Sequence, residues 1–394
     1  MKIAFACPAS LPATQFGGIM FLCLDLAREL SRIGHDVSIY TTDMDFANNP
    51  KTFNKNLPRQ EVIKKFKINR THVWFSIGLF FVNPSMYFQM MKDDPNIIHA
   101  IGVRSFQSYI AALVSKKKKI PLVISDQGGL TTHPALIHGS IMKKILYKMQ
   151  IPMIRFIINQ ATKISVANEY ERQIFLDFCR DSKIVIVRNG VNLENMNLNK
   201  ANFREQYNIK KPFILFLGRF DKVKGIDVLL KAISVIKDES VLSNTKLVIM
   251  GVDFGFESQM LAMINEMKIE DKVIVIKNPS REAVISAYKQ SRFLVLPSRW
   301  ELSPLTPLEG FMFKKAVIST TAHGIPYTIK DRVQGILIEP ENHKSLADAI
   351  IELLSDEKKC QEYGLAGYNM VQTECNSVKM TENILNIYQQ LVNR

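Results

Sequence analysis

The sequence predicts an α/β protein with two doubly wound domains, each a parallel sheet covered by helices on both faces. Its 394 residues exceed what one hydrophobic core usually supports. Short β-branched runs alternate with amphipathic stretches of helical length, and this alternation occurs twice along the chain. The ligands of such sheets bind outside the carboxyl ends of the strands. We therefore expect two domains whose strand ends face a central cleft.

The first cycle begins with a strand at 2–7 and a loop that contains two glycines, Gly17 and Gly18. A helix at 19–33 follows. Gly34 is taken as the signal of its end, since glycine is the usual residue just after a helix. The other predicted strands of this cycle are at 36–42, 96–102, 121–126 and 163–168.

The second cycle is predicted over strands at 213–218, 246–251, 272–277, 292–298, 315–320 and 335–340, with helices at 226–237 and 257–268. Between the cycles, the polar and Asn-rich segment 187–212 opens with an Asn-Gly turn signal and is interpreted as the junction. This predicts an N-terminal domain at 1–186 and a C-terminal domain at 187–377. The C-terminal helix at 378–394 is expected to pack back on the first domain.

The five cysteines are scattered and form no CxxC pairs, which indicates neither a disulfide framework nor a zinc module. A reducing, intracellular setting fits this usage best. The N-terminal apolar run is too short for a signal peptide, and no stretch approaches the roughly 18 to 20 apolar residues of a spanning helix. We expect a cytoplasmic protein that is at most bound to a membrane surface.

The net charge of +14 is concentrated in the first half of the chain. Residues 1–186 hold 24 Lys and Arg against 13 Asp and Glu, and the remainder holds 27 against 24. Cations interleave with large apolar residues at 64–81 and 142–155, and four lysines occupy 116–119. Such segments suit an anionic membrane, an anionic acceptor or a nucleic acid, and an ordinary solvated face combined with core residues is the alternative.

The loop after strand 213–218 contains Gly218, Arg219, Lys224 and Gly225 and leads into a helix at about Ile226. Free N–H groups and the macrodipole at a helix N-terminus already favour an anion. Arg219 and Lys224 beside that terminus would make a receptor for a diphosphate. A capped turn with exposed basic residues is the alternative interpretation.

The segment SRWELSPLTPLEG, residues 298–310, holds Glu301 and Glu309 on either side of a stiff, proline-containing loop. Glu309 is expected near the start of the next helix, where an ionised carboxylate can accept two hydrogen bonds from a vicinal diol such as a ribose. The N–H groups of Leu305 and Thr306 would meet phosphate oxygens. Glu301 would face another part of the same ligand.

Taken together, these segments resemble a retaining, family-4-type glycosyltransferase of GT-B fold, in which two Rossmann-like domains face a central cleft. The resemblance covers nearly the whole chain. It is carried by the Gly17-Gly18 pair, GHDVSIYTTD after the first helix, Asn189-Gly190-Val191 at the junction, the Gly218-Arg219 to Lys224-Gly225 loop, and Pro297 to Glu309 with its two acids.

The resemblance implies a nucleotide-diphosphate sugar as donor and roles for four charged residues. Arg219 and Lys224 would bind the diphosphate and neutralise the nucleotide as it leaves. Glu301 would hold hydroxyls of the donor sugar, and Glu309 the ribose. The family keeps the anomeric configuration, commonly explained by attack on the face of the leaving group.

The remaining donor-binding candidates act through their backbone. Gly218, Leu305 and Thr306 belong to the loops that would hold the phosphates. Gly17 and Gly18 would let the backbone of the first domain approach the phosphate and the acceptor, since a Cβ there would block the contact. GT-B enzymes offset the charge of the leaving group without a metal, so no metal and no cofactor are expected.

The first domain departs from the family pattern. Ile101, after His99 and Ala100, stands where a second histidine is common, and Asp126 and Gln127 replace the usual histidine of the next loop. His99, Asp126 and Gln127 are therefore candidates for the acceptor or sugar side, and no catalytic base is assigned. A packed, hydrogen-bonded core side chain is the alternative for His99.

Asp43 and Asp45 form a D-x-D, a metal motif of another transferase fold that we discount in this architecture. We predict transfer of a hexose to a saccharide acceptor, with a lipid-linked glycan at the cytoplasmic leaflet favoured over a soluble glucan or small molecule. Surface polysaccharide and N-glycan-type assembly are both compatible. A nucleotide-sugar epimerase or hydrolase is the alternative enzyme. A nucleic-acid-binding protein is disfavoured because the acidic pair would repel the phosphate backbone.

Overall fold

The computed structural model describes residues 1–45, 53–132, 134, 141–197 and 202–393, without the side chains of 143, 195 and 197. The chain divides into two compact units, Met1–Gly190 with Ser377–Arg394, and Val191–Asn376. The first break lies four residues after the predicted position and the second lies one residue before it. Residues 198–201 of the predicted junction lie outside the described part of the chain.

The first unit is built on a sheet in the order β10-β9-β8-β7-β1-β2-β4-β3, in which only the β3–β4 pair is antiparallel. Its described strands, including a separate β5–β6 hairpin, are β1 Lys2–Ala6, β2 Asp36–Thr42, β3 Gln60–Ile63, β4 Phe66–Thr71, β5 Phe75–Ile77, β6 Phe80–Val82, β7 Ile97–Ile101, β8 Leu122–Ser125, β9 Lys163–Val166 and β10 Ile184–Ile186. Its described helices are Gly18–Arg32, Ser85–Met91, Phe106–Lys118, Ile141–Gln160, Glu169–Leu176 and Ser377–Val392.

The strand order reverses at β1, because the chain builds outward to β2 and β4 and then returns to place β7 on the other side. Ala4 of β1 is paired with Ser38 of β2 on one side and with Ile98 of β7 on the other. The loops after β1 and β7 therefore leave the same edge of the sheet in opposite directions, which is where doubly wound sheets bind ligands.

The C-terminal helix belongs to the core of the first unit. Met380, Ile384, Ile387 and Tyr388 recur at helical spacing and are buried in one cluster with residues of β1, β2 and helix Gly18–Arg32. Ser377 at its start donates a hydrogen bond to Glu29 of that helix over 3.3 Å.

The second unit is a parallel sheet in the order β13-β12-β11-β14-β15-β16, which reverses between β11 and β14. Its described strands are β11 Phe213–Leu217, β12 Lys246–Gly251, β13 Val273–Lys277, β14 Leu294–Leu296, β15 Val317–Thr320 and β16 Gly335–Ile338. Its described helices are Phe203–Gln206, Ile226–Val235, Ser240–Ser243, Glu257–Glu266, Arg281–Gln290, Leu305–Met312, His343–Ser355 and Glu357–Thr373. The central strands are apolar along their whole length because helices cover both faces.

The basic segment 64–81 combines core and surface residues, as in the alternative interpretation of the sequence. Phe66–Thr71 forms the internal strand β4 between β2 and β3. Arg70 is 2% exposed, donates to the carbonyls of Leu11 and Pro58, and pairs with Glu61 at 2.7 Å. This guanidinium is used inside the protein, whereas Lys64, Lys65, Lys67 and most of the β5–β6 hairpin are exposed.

A buried glutamate joins the loop after β8 to the helix Glu169–Leu176. Asn168 caps that helix by accepting from the Glu171 N–H at 3.0 Å, and the Glu171 carboxyl reaches back to accept from the N–H of Ala167, the residue before the cap, at 2.6 Å. The same carboxyl accepts from the N–H of Gln127 at 3.3 Å. Burial raises the pKa of Glu171 to about 8, and the nearby Asp126 carboxylate adds to the shift.

The pKa of Glu171 predicts a dependence of stability on pH. Because its folded-state pKa lies above the value of 4.5 for an unperturbed glutamate, the folded state binds the proton more tightly. The stability it contributes is complete below about pH 4.5 and is lost as the pH rises to about 8, at about 1.4 kcal/mol per pH unit. We expect Glu171→Gln to be less stable than the wild type at pH 5, because its amide places a donor against a backbone N–H, and to lose this deficit by pH 9.

Calorimetric unfolding of the whole chain between pH 5 and pH 9 measures this effect. Glu169→Gln, two residues away on the same helix and exposed at its side chain, is the matched control. Parallel pH profiles for the wild type and Glu171→Gln would show that Glu171 does not titrate in this window.

Candidate active site

The loop after β11 lies where the strand order of the second sheet reverses. Asp221 caps the short turn Lys222–Lys224 by accepting from the Val223 N–H at 3.0 Å. Gly225 then adopts a φ of +70°, and a Cβ on it would lie 2.0 Å from the carbonyl oxygen of Pro297. Only glycine allows this approach. It sets the start of helix Ile226–Val235 against the end of β14.

Lys224 and Glu301, predicted on separate loops, are in direct contact. The Lys224 ammonium donates to Oε1 of Glu301, and the Ser298 hydroxyl donates to the same oxygen at 3.1 Å. Both charged side chains are largely buried, at 18% and 16% exposure. The structure therefore brings together the ammonium predicted to bind a diphosphate and the carboxylate predicted to bind a sugar.

Arg219, the other predicted cation of this loop, lies over an aromatic ring. Its guanidinium carbon is 4.8 Å from the centre of the Phe254 ring, a cation–π geometry. Gly218 donates its N–H to the carbonyl of Met250 at 3.0 Å, and a Cβ on Gly251 would lie 1.8 Å from the Gly218 oxygen. The loop thus leaves β11 against the end of β12.

Arg299 was not identified as a functional residue from the sequence, although it lies within the segment 298–310. Its guanidinium donates to both carboxylate oxygens of Asp227, at 2.7 and 2.8 Å, and also pairs with Glu341. Asp227 lies in the first turn of helix Ile226–Val235, so this bidentate bond ties the loop after β14 to the helix after β11. Arg299 therefore fixes the spacing of the two predicted ligand-binding loops.

The helix that follows begins earlier than predicted. It spans Leu305–Met312 after Pro304, which provides no side-chain cap. The N–H groups of Leu305 and Thr306 occupy its first two positions, where no preceding helical carbonyl can accept them. Together with the helix dipole, they form the kind of terminus that binds anions.

Glu309 is the fifth residue of this helix, which corrects its predicted position near the helix start. The helix dipole acts mainly in the first turn and is therefore not its main electrostatic partner. Instead, Oε1 accepts from Arg281 at 2.5 Å and Oε2 accepts from the hydroxyl of Tyr288 at 2.8 Å. Neither partner was identified from the sequence, because they lie 28 and 21 residues before Glu309.

In the first unit, the Gly17-Gly18 pair stands where the loop after β1 enters a helix. Gly17 has a φ of +99°, which favours glycine, and Gly18 is the first residue of helix Gly18–Arg32. No atom lies within 4 Å of the position that a Cβ on Gly17 would take. The strict need for glycine here therefore comes from the backbone conformation. The predicted contact of these glycines with donor and acceptor stays a prediction.

His99 is a core residue, as in the second interpretation of the sequence, and not a residue exposed on the acceptor or sugar side. It is fully buried in β7, its Nδ1 is 2.6 Å from the Tyr388 hydroxyl, and its Nε2 is 2.9 Å from the Ser125 hydroxyl. Burial lowers the pKa of His99 to about 3, so the ring is neutral at physiological pH. With both nitrogens engaged, the imidazole ties the sheet to the C-terminal helix.

Asp126 and Gln127 organise the loop after β8. The buried Asp126 carboxyl accepts from the N–H groups of Val103 at 3.2 Å and Leu130 at 3.0 Å, and burial raises its pKa. Gln127 has a φ of +59° and exchanges two amide hydrogen bonds with Asn189, at 3.0 and 2.9 Å. These side chains hold a loop at the ligand-binding edge of the sheet, and their predicted contact with a substrate stays a prediction.

The two aspartates of the D-x-D motif are hydrogen-bonded to different residues of the first unit. The Oδ2 of Asp43 lies 2.5 Å from Nδ1 of His72, and its Oδ1 accepts from the N–H of Val73 at 3.1 Å. Asp45 accepts from the amide of Asn54 at 2.8 Å. Within the described ranges, no group of three or more His, Cys, Asp or Glu is arranged to hold a metal ion. The expectation that the protein needs no metal stays a prediction.

Two family models match consecutive parts of the chain. The model described as Glycosyltransferase Family 4 matches residues 16–195, and the one described as Glycosyl transferases group 1 matches residues 199–370. Among related sequences, an uncharacterized glycosyltransferase of Methanocaldococcus jannaschii is 24% identical over 379 residues and covers 90% of each chain. The D-inositol 3-phosphate glycosyltransferase of Mycolicibacterium smegmatis is 25% identical over 210 residues, which are 51% of this chain and 47% of that protein.

Solved structures share the fold over the full length. Sucrose-phosphate synthase from Thermosynechococcus elongatus superposes with a TM-score of 0.77 at 18% identity, covering 100% of this chain and 99% of that one. Anabaena HepE in complex with UDP-glucose gives a TM-score of 0.75 at 16% identity, covering 99% and 100%. The predicted fold is confirmed. From the two family matches and this shared fold, the chain belongs to the family-4-type glycosyltransferases of GT-B fold.

Proposed function

We propose that this glycosyltransferase is a retaining enzyme that moves a hexose from a nucleotide-diphosphate sugar to a saccharide acceptor. The observation that carries the proposal is the contact between Lys224 and Glu301 at the reversal of the second sheet. It places an ammonium, a carboxylate and the free N–H groups of helix Leu305–Met312 on two loops that Arg299 holds together. The complex of the structural neighbour HepE with UDP-glucose supports the donor class.

The donor side of the mechanism rests on positive charge placed before the reaction. Arg219, Lys224 and the helix N-terminus at Leu305 would surround the diphosphate, and this charge stabilises the leaving nucleotide as its bond to the sugar breaks. An ammonium has three donors, so Lys224 can keep its bond to Glu301 while it donates to a phosphate oxygen. Because these groups already supply the compensating charge, we propose that no metal takes part.

The sugar would be held by Glu301 and attacked on the face that the diphosphate leaves. An acceptor hydroxyl oxygen forms a bond to the anomeric carbon while the bond to the phosphate oxygen breaks and its electron pair goes to the diphosphate. The hydroxyl proton passes to the departing phosphate oxygen. This path retains the anomeric configuration and requires no protein base.

A thermal-shift screen of nucleotide sugars on the wild type and on Glu309→Ala tests the donor assignment. We expect one nucleotide sugar to raise the melting temperature of the wild type by several degrees, because a ligand that binds only the folded state stabilises it. Glu309→Ala removes the acceptor for two ribose hydroxyls. It should weaken binding about 30-fold, since hydrogen bonds to a charged group contribute roughly 1.5 to 3 kcal/mol.

Glu362→Ala, at an exposed glutamate on another helix of the second unit, is the control and should respond like the wild type. Equal shifts for the wild type and Glu309→Ala would refute the ribose role. Rapid conversion of the donor without any acceptor would instead favour an epimerase or a hydrolase.

We further propose that the acceptor is a lipid-linked saccharide and that the first unit binds the cytoplasmic face of an anionic membrane. The first support is the β5–β6 hairpin, whose residues 73–84 carry no charge. Trp74 is 66% exposed, and Phe75, Ile77 and Leu79 are also more than half exposed. An uncharged apolar hairpin in water is unusual for a surface without a partner.

The second support is the helix Ile141–Gln160, which contains no acidic residue. Ile141, Ile145 and Met149 recur every four residues, and their side chains are 78%, 48% and 71% exposed. Lys144 and Lys148, also exposed, precede two of these residues directly. A cationic helix with an exposed apolar stripe has the composition of a helix that lies in the interface of an anionic bilayer.

Both apolar elements border the start of one helix, Phe106–Lys118. Phe80 of the hairpin contacts Phe106 with ring centres 6.0 Å apart. On the other side, Arg104 lies over the ring of Tyr147 at 5.1 Å. The hairpin and the cationic helix therefore flank the loop that follows β7, where the sheet of the first unit reverses. Among the residues described, no helix is long and apolar enough to cross a membrane.

Co-sedimentation with vesicles tests membrane binding. We expect the wild type to pellet with phosphatidylglycerol–phosphatidylcholine vesicles and to stay in the supernatant with phosphatidylcholine alone. The double variants Trp74→Ser/Phe75→Ser and Ile145→Ser/Met149→Ser should each reduce binding at least about tenfold, since burying one large apolar side chain is worth roughly 1.5 to 3 kcal/mol.

The control is Val235→Ser/Leu261→Ser, which removes two exposed apolar side chains from the second unit and should not change binding. Equal recovery of the wild type in the supernatant with both kinds of vesicle would refute the membrane proposal. It would leave a soluble saccharide as the acceptor.

A further inference from the structure

The carboxylate of Glu309 is held from two sides by one helix. Arg281 is the first residue of helix Arg281–Gln290, and Tyr288 lies seven positions later on the same face. Arg281 donates to Oε1 at 2.5 Å and Tyr288 donates to Oε2 at 2.8 Å, so each oxygen receives one donor. The Glu309 side chain keeps 14% exposure, so the protein does not enclose it completely.

The donors are themselves fixed. Tyr288 is fully buried and stacks on Phe313 with ring centres 5.9 Å apart and planes 15° from parallel. Burial and the neighbouring Glu309 charge raise the pKa of Tyr288 well above its usual value, so the phenol keeps the proton that it donates. Arg281 follows Ser280, which caps the helix through the Ala283 N–H at 3.2 Å.

This arrangement leaves the carboxylate with the capacity for one bidentate ligand. An ionised carboxylate has about four acceptor positions, and Arg281 and Tyr288 occupy one on each oxygen. The 2′- and 3′-hydroxyls of a ribose are two adjacent donors, which matches the one position left on each oxygen. A carboxylate already locked in orientation loses little conformational freedom on binding, and such preorganisation raises affinity.

We propose that Arg281 and Tyr288 are positioning residues that orient Glu309 toward both ribose hydroxyls and thereby make the site select ribonucleotides over 2′-deoxyribonucleotides. The inference rests on the proposed donor role of Glu309 and adds the residues on which its selectivity depends. A site built to bond a hydroxyl rejects the analogue that lacks it, because its own polar group is then left unpaired. We expect at least a tenfold preference for the ribonucleotide in the wild type.

Titration calorimetry with UDP, GDP and ADP and with their 2′-deoxy counterparts measures this preference. The pair whose ribonucleotide binds the wild type most tightly is then used for the variants Tyr288→Phe and Arg281→Met. Each variant should weaken the ribonucleotide about three- to tenfold and change the deoxyribonucleotide less than twofold. The preference should therefore fall to about threefold or less. A merely structural role would weaken both nucleotides alike.

Matched controls in the same unit are Tyr207→Phe and Arg292→Met. Tyr207 is a half-buried tyrosine that packs on Phe203, and Arg292 donates to the carbonyl of Leu354. Neither residue contacts Glu309, and both controls should keep the preference of the wild type. Calorimetric unfolding establishes that each variant is folded before it is titrated.

A double-mutant cycle with Glu309→Gln isolates the positioning effect, because residues that act through one another are not additive. In the Glu309→Gln background, Tyr288→Phe should change ribonucleotide binding less than twofold. The inference would be overturned if the wild type binds a ribonucleoside diphosphate but both variants keep its preference, or if they lose affinity equally for the ribonucleotide and the deoxyribonucleotide. Either result would leave the proposed donor function standing. A wild type that binds none of the six nucleotides would overturn the proposed donor function.

Discussion

The candidate site depends on the close approach of Gly225 to the carbonyl oxygen of Pro297. A parallel sheet buried on both faces offers no room for charged groups along its strands, so they must stand on the loops beyond the carboxyl ends. Two such loops diverge where the strand order reverses, and something must hold them together. Here a missing Cβ lets the backbones touch, and the bidentate bond from Arg299 to Asp227 fixes their spacing. The contact of Lys224 with Glu301 follows from that backbone geometry.

Both units are doubly wound sheets, but the polar residues near the carboxyl ends of their strands have different roles. In the second unit, the loops at the reversal carry partly exposed charges on rigid backbone. In the first unit, the polar groups near the same edge are buried and satisfied by the protein itself, as with His99 and Asp126. Their role is to hold loops in backbone conformations that ordinary residues rarely adopt, such as the positive φ of Gln127. We infer that these groups shape loops in the first unit, whereas those at the reversal of the second unit present charge.

The sequence was sufficient to predict features that depend on local pattern. Short apolar runs bounded by turn signals, such as 213–217, are typical of buried strands, and the loop that follows this one carries the glycines and charges of a phosphate-binding site. Features that depend on which distant segments meet were not predicted. Strand β4 was not predicted because it lies in a basic stretch. Its Arg70 is buried because Glu61 of the neighbouring strand neutralises it, and the sequence does not show that pairing. The sequence left two interpretations of His99 open because its partner, Tyr388, lies 289 residues away in the C-terminal helix.

The ion pair of Lys224 and Glu301 also determines which groups attract a nucleotide first. Two opposite charges in contact cancel each other's field at distances beyond a few ångströms, so Lys224 adds little to the attraction of an approaching diphosphate. Arg219 and the N-terminus of helix Leu305–Met312 have no such compensation from Glu301. They would therefore capture the phosphates. The ammonium would act only once a phosphate oxygen is close enough to share it with the carboxylate, which keeps further acceptor positions for the hydroxyls of the sugar. An interaction that is weak at long range and strong at contact favours the bound donor over a free anion, because only the donor brings a phosphate oxygen to Lys224 and hydroxyls to Glu301 together.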